Sequence, residues 1–120
     1  MTDVVHPCPC CGFIVFTDLQ GWEICPICFW EDDPIQLCDP WYEGGANTLS
    51  LVQSQKNFVE LGAMERRFLK HVRAPRDSDR RDPKWRPVRK EDRAFATTPA
   101  ALFDQAGTDA IYEYWLRGGG

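Results

Sequence analysis

The spacing of apolar residues changes twice along the chain, and each change predicts a different element. Phe13-Ile14-Val15-Phe16 is an apolar run of strand length, and Trp22-Glu23-Ile24 is a shorter strand candidate. Asp18 to Gly21 between them has the polarity and glycine of a turn. From Leu51 the spacing moves to three- and four-residue steps or their sums, through Phe58, Leu61, Phe68 and Val72. That pattern predicts one long helix over 49–72 with a single buried face. Asn47, Thr48 or Ser50 could supply its N-cap oxygen. Gly62 costs about 1 kcal/mol relative to Ala and allows a break there. Arg66, Arg67, Lys70 and Arg73 crowd the C-terminal end, where cations favour the helix dipole.

No periodicity survives over 73–93, which holds nine basic residues, five acidic ones and three prolines. It reads as an extended, solvated loop that Trp85 and Val88 pin to the core. Thr98-Pro99 then looks like an N-cap with proline at the first helical position, predicting a helix to about Ala106 that Gly107 stops. Thr108 or Asp109 restarts a second helix through Tyr112, Trp115 and Leu116, ending at Gly118.

Composition adds scale and compartment. A chain of 120 residues, 43% apolar and 27% charged, suits one folded domain over 1–120. No apolar run approaches the roughly 20 residues that cross a bilayer, so no membrane association is expected. Met1 to Pro9 lacks the basic and apolar regions of a secretory signal. The expected location is cytoplasmic, where cysteines serve as metal ligands or thiols rather than disulfides.

The net charge of −4 conceals a division. Met1 to Gln55 contains no Lys or Arg against eight acids, whereas all 14 basic residues lie from Lys56 onward with the other ten acids. All six cysteines belong to the acidic part.

Those cysteines carry the clearest chemistry. Cys8-Pro9-Cys10-Cys11 recurs 17 positions later as Cys25-Pro26-Ile27-Cys28. Cys8-x2-Cys11 and Cys25-x2-Cys28, 13 residues apart, have the spacing of a tetrahedral zinc site over 6–48. A tight knuckle lets thiolates at i and i+3 converge, and two knuckles supply four sulfurs at about 2.3 Å from one ion. Gly12 suits the positive φ that a knuckle needs. Four thiolates close the coordination sphere, so one structural zinc is expected and no catalytic water. Cys10 is either a small buried side chain or an alternate ligand, and Cys38 is most simply a free thiol.

At Cys8-Pro9-Cys10-Cys11-Gly12 and Trp22-Glu23-Ile24-Cys25-Pro26-Ile27-Cys28-Phe29-Trp30-Glu31-Asp32-Asp33, the chain resembles the bacterial cysteine-rich CPCC family. The likeness runs on through Asp39-Pro40, Gly44-Gly45-Ala46-Asn47, Ser50-Leu51 and Asn57-Phe58 and fades beyond 81–87. Cys38 and the tail from Ala94 lie outside the pattern. The resemblance implies a small zinc-ribbon-like protein and no particular activity. The expected fold is α+β: a zinc-ribbon-like β-hairpin module packed against one long helix, with short C-terminal helices over 94–117.

No Gly-rich phosphate loop, Ser-His-Asp set or HExxH motif is present, so catalysis is not expected. Glu31, Asp32 and Asp33 read as a solvated acidic turn. With Trp30, Trp41 and Tyr42 they form the candidate binding face, and Trp22 is a further aromatic candidate for it. Zinc held by four thiolates adds −2, so the metal half repels phosphates and nucleic-acid binding falls to the basic 73–93 segment. That segment also reads as an internal ion-pairing partner for the acidic half. The favoured function is protein–protein interaction, in one version an immunity protein neutralising a basic toxin.

Overall fold

The structure, a computed structural model, describes residues 6–18 and 21–117. The turn expected over 18–21 and the helix end expected at Gly118 fall partly or wholly outside them. The chain folds as a small α+β unit whose elements surround the cysteines. β1 (His6–Pro7) and β2 (Ile14–Phe16) form a two-stranded antiparallel hairpin, with His6 opposite Phe16 and Pro7 opposite Ile14. The run at Phe13–Phe16 is thus a strand in large part, but its partner is β1 rather than Trp22–Ile24. The latter contributes a single bridge, Ile24 to Glu31. A CxxC knuckle between β1 and β2 turns the chain directly back, which brings 6–7 into pairing range first.

α1 (Pro34–Cys38) starts at Asp33, whose carboxylate accepts from the Ile35 N–H. α2 (Leu51–Leu61) starts at Ser50, whose hydroxyl accepts from Gln53 N–H. It ends at Gly62, which takes φ 89° and donates its N–H to the Phe58 carbonyl. The single helix expected over 49–72 is therefore corrected to an 11-residue helix followed by a 3₁₀ stretch at Arg66–His71. The cause is tertiary: the Met64 N–H donates to the Cys28 carbonyl, 2.8 Å away, rather than continuing the helix ladder. Ser50→Ala is expected to cost about 1 kcal/mol through the lost cap. An unchanged denaturant midpoint would show the cap to be dispensable.

Past residue 72 the backbone is mostly irregular, with a 3₁₀ stretch at Lys90–Phe95. Trp85 and Val88 pack against the core as expected. Arg73 pairs with Asp79 and Arg86 with Asp92, each through two hydrogen bonds, and Glu65 pairs with Arg67. These arginines thus take carboxylates from their own half of the chain rather than from the acidic half. α3 (Pro99–Ala106) begins at Thr98, with Pro99 in the first turn, and Gly107 caps it. Beyond it the expected second helix is only two short 3₁₀ turns, at Gly107–Asp109 and Tyr114–Leu116.

The core is centred on four of the cysteines. Cys8, Cys11, Cys25 and Cys28 are buried together with Phe16, Ile27, Trp30, Leu37, Leu51, Met64, Tyr114 and Trp115. Tyr114 and Trp115 pack edge to face with ring centres 4.9 Å apart. The end of the chain thus returns to cover its beginning.

Candidate metal centre

The 17-residue repeat is reproduced in the backbone. In the first knuckle Gly12 N–H donates to the Cys8 carbonyl at 2.7 Å, and Cys8 N–H donates to the Phe13 carbonyl at 2.8 Å. In the second, Phe29 N–H donates to the Cys25 carbonyl and Cys25 N–H to the Trp30 carbonyl, both at 2.9 Å. The residue after each second cysteine sits in the left-handed region, Gly12 at φ 81° and Phe29 at φ 72°. Two copies of one tight turn therefore face each other.

Their sulfurs converge. The Sγ atoms of Cys8, Cys11, Cys25 and Cys28 all lie within 4.8 Å of one another, and all four residues are buried. Cys8 and Cys28 sulfurs are 3.5 Å apart, and those of Cys11 and Cys25 are 3.7 Å apart. A tetrahedron with bonds of about 2.3 Å has edges of about 3.8 Å, so these separations suit four ligands of one ion. They are far longer than the ~2.05 Å of a disulfide, and the six cysteines are free thiols.

The surroundings favour thiolate at this spot. The Ile27 and Cys28 N–H groups point at the Cys25 sulfur, at 3.3 and 3.5 Å. Burial pushes the Cys25 thiol up, but hydrogen bonds from the Cys11, Cys28 and Cys8 sulfurs and from the Cys28 N–H outweigh it, so its pKa falls. Burial raises the thiols of Cys8 and Cys28. The Cys25 site thus favours negative charge among buried neighbours, which a bound cation would neutralise.

The outer faces of both knuckles are closed by the second half of the chain. The Pro9 carbonyl accepts from Gln55 Nε2 and from Trp85 Nε1, both at 2.9 Å. The Cys11 carbonyl accepts from Arg81 Nε at 3.0 Å. On the second knuckle, Pro26 and Cys28 carbonyls accept from the N–H groups of Arg73 and Met64. Phe29 packs against Phe68 with tilted rings and stacks on His71, at 4.5 and 5.3 Å between ring centres.

Cys10 is buried beside the cluster, its thiol raised by burial, but it is not among the four converging sulfurs. Cys38 is also buried, and burial pushes its thiol up to about 11. A thiol so raised is a poor nucleophile at neutral pH.

The residues of the candidate binding face are dispersed. Trp30 is 0% exposed, Asp32 3% and Asp33 1%, so these three are interior residues rather than parts of a solvated turn. The Asp33 carboxylate caps α1 and accepts from Ala46 N–H at 2.8 Å. It joins Gln36 and Asn47 in holding the 39–49 loop: Gln36 Nε2 donates to the Tyr42, Asn47 and Leu49 carbonyls, and Asn47 Nδ2 to the Glu31 carbonyl. Glu31 is half-buried. Trp41 is half-buried with the Arg93 guanidinium 5.3 Å over its ring, and Tyr42 alone is well exposed.

Trp22, the further aromatic candidate, stands at the surface beside Ile24. Trp22, at φ 62°, is 50% exposed, and Ile24 is 48% exposed. Glu23 between them turns inward, its carboxylate accepting from the N–H groups of Thr17 and Asp18. Trp22 is already a candidate aromatic for a binding face in the sequence, whereas Ile24 is not, and the apolar-acid-apolar alternation of Trp22-Glu23-Ile24 is the signal that could have added it.

The family model described as cysteine-rich CPCC matches residues 6–79. No curated protein matches the chain. The match covers both knuckles, the 39–49 loop and α2, and stops before Trp85, Tyr114 and Trp115. Among the described residues, no helix is long and apolar enough to cross a membrane.

Proposed function

Because the chain belongs to the cysteine-rich CPCC family, we propose that its four-cysteine centre holds one structural zinc and that the protein works by binding another protein. Tetrahedral sulfur ligation suits zinc or iron. Zinc there neutralises the buried thiolates and leaves no open coordination position. Metal analysis of protein purified without chelator is expected to give one zinc per chain, and stoichiometric iron would overturn that assignment.

The exposed Trp22–Ile24 pair carries the protein-binding reading. Large apolar side chains held rigidly on a surface are the usual anchors of protein interfaces. Here the Glu23 carboxylate fixes the backbone between them, so little ordering entropy remains to be lost on binding. The acidic character of residues 1–55 adds steering toward a basic partner. In its most specific form this is an immunity protein that neutralises a basic toxin. A double variant, Trp22→Ala with Ile24→Ala, is expected to keep its metal and its thermal midpoint yet lose at least tenfold in partner affinity. Recovery of nucleic acid alone from an affinity capture, with no stoichiometric protein, would overturn the reading.

The second reading is nucleic-acid binding through the basic 73–93 segment. It is favoured by exposed Arg76, Arg80, Arg81, Lys84, Arg89 and Lys90. Its signature is affinity for DNA or RNA that falls steeply with salt. No binding at low salt removes it.

A further inference from the structure

α2 leaves one side uncovered. Val59 on that side is 84% exposed. Beside it lies a groove of about 160 Å³, lined by Val52, Phe58 and Val59 from α2 and by Trp85 and Val88 from the later segment. Cys10 reaches it from the first knuckle. An apolar space of about 150 Å³ accommodates a molecule the size of benzene.

The polar groups around this groove select what enters it. Gln55 lines it too, but its amide is spent: Nε2 donates to the Pro9 carbonyl and the Tyr114 hydroxyl, and Oε1 accepts from Val88 N–H at 2.9 Å. The remaining polar side chains are two cations, Lys56 and Arg81. Arg81 is held in place, with Nε on the Cys11 carbonyl and its guanidinium 4.7 Å over Phe13 and 5.7 Å from Trp85. Neither cation takes part in the three ion pairs formed among the described residues. An apolar lining with two cations that form no ion pair with a carboxylate among the described residues suits an apolar anion. It disfavours an amine by repulsion and gives a neutral molecule no ionic contact.

We propose that this groove binds a small monocarboxylic acid, with its ring or short chain against Val52, Phe58 and Trp85 and its carboxylate on Lys56 and Arg81. The site is separate from the Trp22–Ile24 face and stands or falls independently of it.

The test uses the full metal-loaded chain titrated with benzoate, benzyl alcohol and benzylamine, followed by amide and indole chemical shifts. Benzoate is expected to shift the Trp85 indole and Val88 amide signals saturably, about tenfold more tightly than benzyl alcohol, with benzylamine weaker still. Lys56→Gln, a change at an exposed position, is expected to weaken benzoate about threefold and leave benzyl alcohol unchanged. Val59→Glu, also exposed, places a like charge at the groove and is expected to abolish benzoate binding. Thermal midpoints equal to that of the parent confirm that both variants are folded. Equal affinity for benzoate and benzyl alcohol would overturn the proposal. So would benzoate binding unaffected by Lys56→Gln, shifts confined to other residues, or no saturable shift up to the solubility limit of benzoate.

Discussion

Stripping the metal is expected to unfold the chain well beyond the cysteine-rich segment. Cys8, Cys11, Cys25 and Cys28 are 0% exposed and share one core with Trp30, Leu51, Met64 and Tyr114. Structural zinc contributes on the order of 10 kcal/mol to folding in small modules. A whole domain is stable by only about 5–15 kcal/mol, so little remains without it. The Pro9, Pro26 and Cys28 carbonyls, which anchor Gln55, Trp85, Arg73 and Met64, would lose their positions along with the knuckles. Near-UV circular dichroism, which reports buried aromatics such as Trp30 and Trp115, is expected to collapse when zinc is chelated. Cys25→Ser is expected to give the same spectrum without chelator. A near-UV spectrum that persists after metal loss has been verified would overturn this account.

Gly12→Ala is expected to be strongly destabilising. Gly12 adopts φ 81°, a left-handed conformation that costs an L-residue about 1–2 kcal/mol. A Cβ there would also lie 2.5 Å from Trp85 Cε3 and 2.6 Å from Cδ2. The indole is held by its N–H on the Pro9 carbonyl and cannot retreat without breaking that bond. Overpacking of this kind adds about 1–3 kcal/mol, so the total is about 3 kcal/mol, measured as a shift in the denaturant midpoint. Phe29→Gly at the equivalent position is a useful contrast. It relieves the strain at φ 72° but removes the ring from Phe68 and His71, and the two effects should cancel to within about 1 kcal/mol. A large loss at both positions would indicate that ring packing, not backbone conformation, governs the knuckles.

The four-cysteine cluster was legible from spacing because ligand geometry constrains i and i+3 locally, and the repeated Cys-Pro pair marked both turns. Gly12 announced one left-handed position, but Phe29 gave no matching signal, since its strain is offset by rings more than 35 residues further on. The helix was overextended for a related reason. Phe68 and Val72 continue the apolar spacing of α2, yet Met64 N–H is claimed by Cys28, a competition invisible to periodicity. The acid cluster misled because a charge run carries no mark of its partners. The Ala46 N–H that donates to the Asp33 carboxylate lies 13 residues away, in a loop whose shape depends on Gln36 and Asn47. Ser50, Thr98 and Gly107, by contrast, act on their own helix ends, and all three were readable.

The double role of the Pro9 carbonyl has a consequence in time. Its two donors come 46 and 76 residues later in the chain. The fourth sulfur, on Cys28, emerges from the ribosome 57 residues ahead of Trp85. At about 5–20 residues per second, that is an interval of roughly 3–11 s. During it the knuckles can gather their ion while the indole that closes the first of them is still being made. On the zinc reading, a nascent chain has all four candidate ligands before their cover exists, and folded yield is expected to fall when metal is scarce during synthesis.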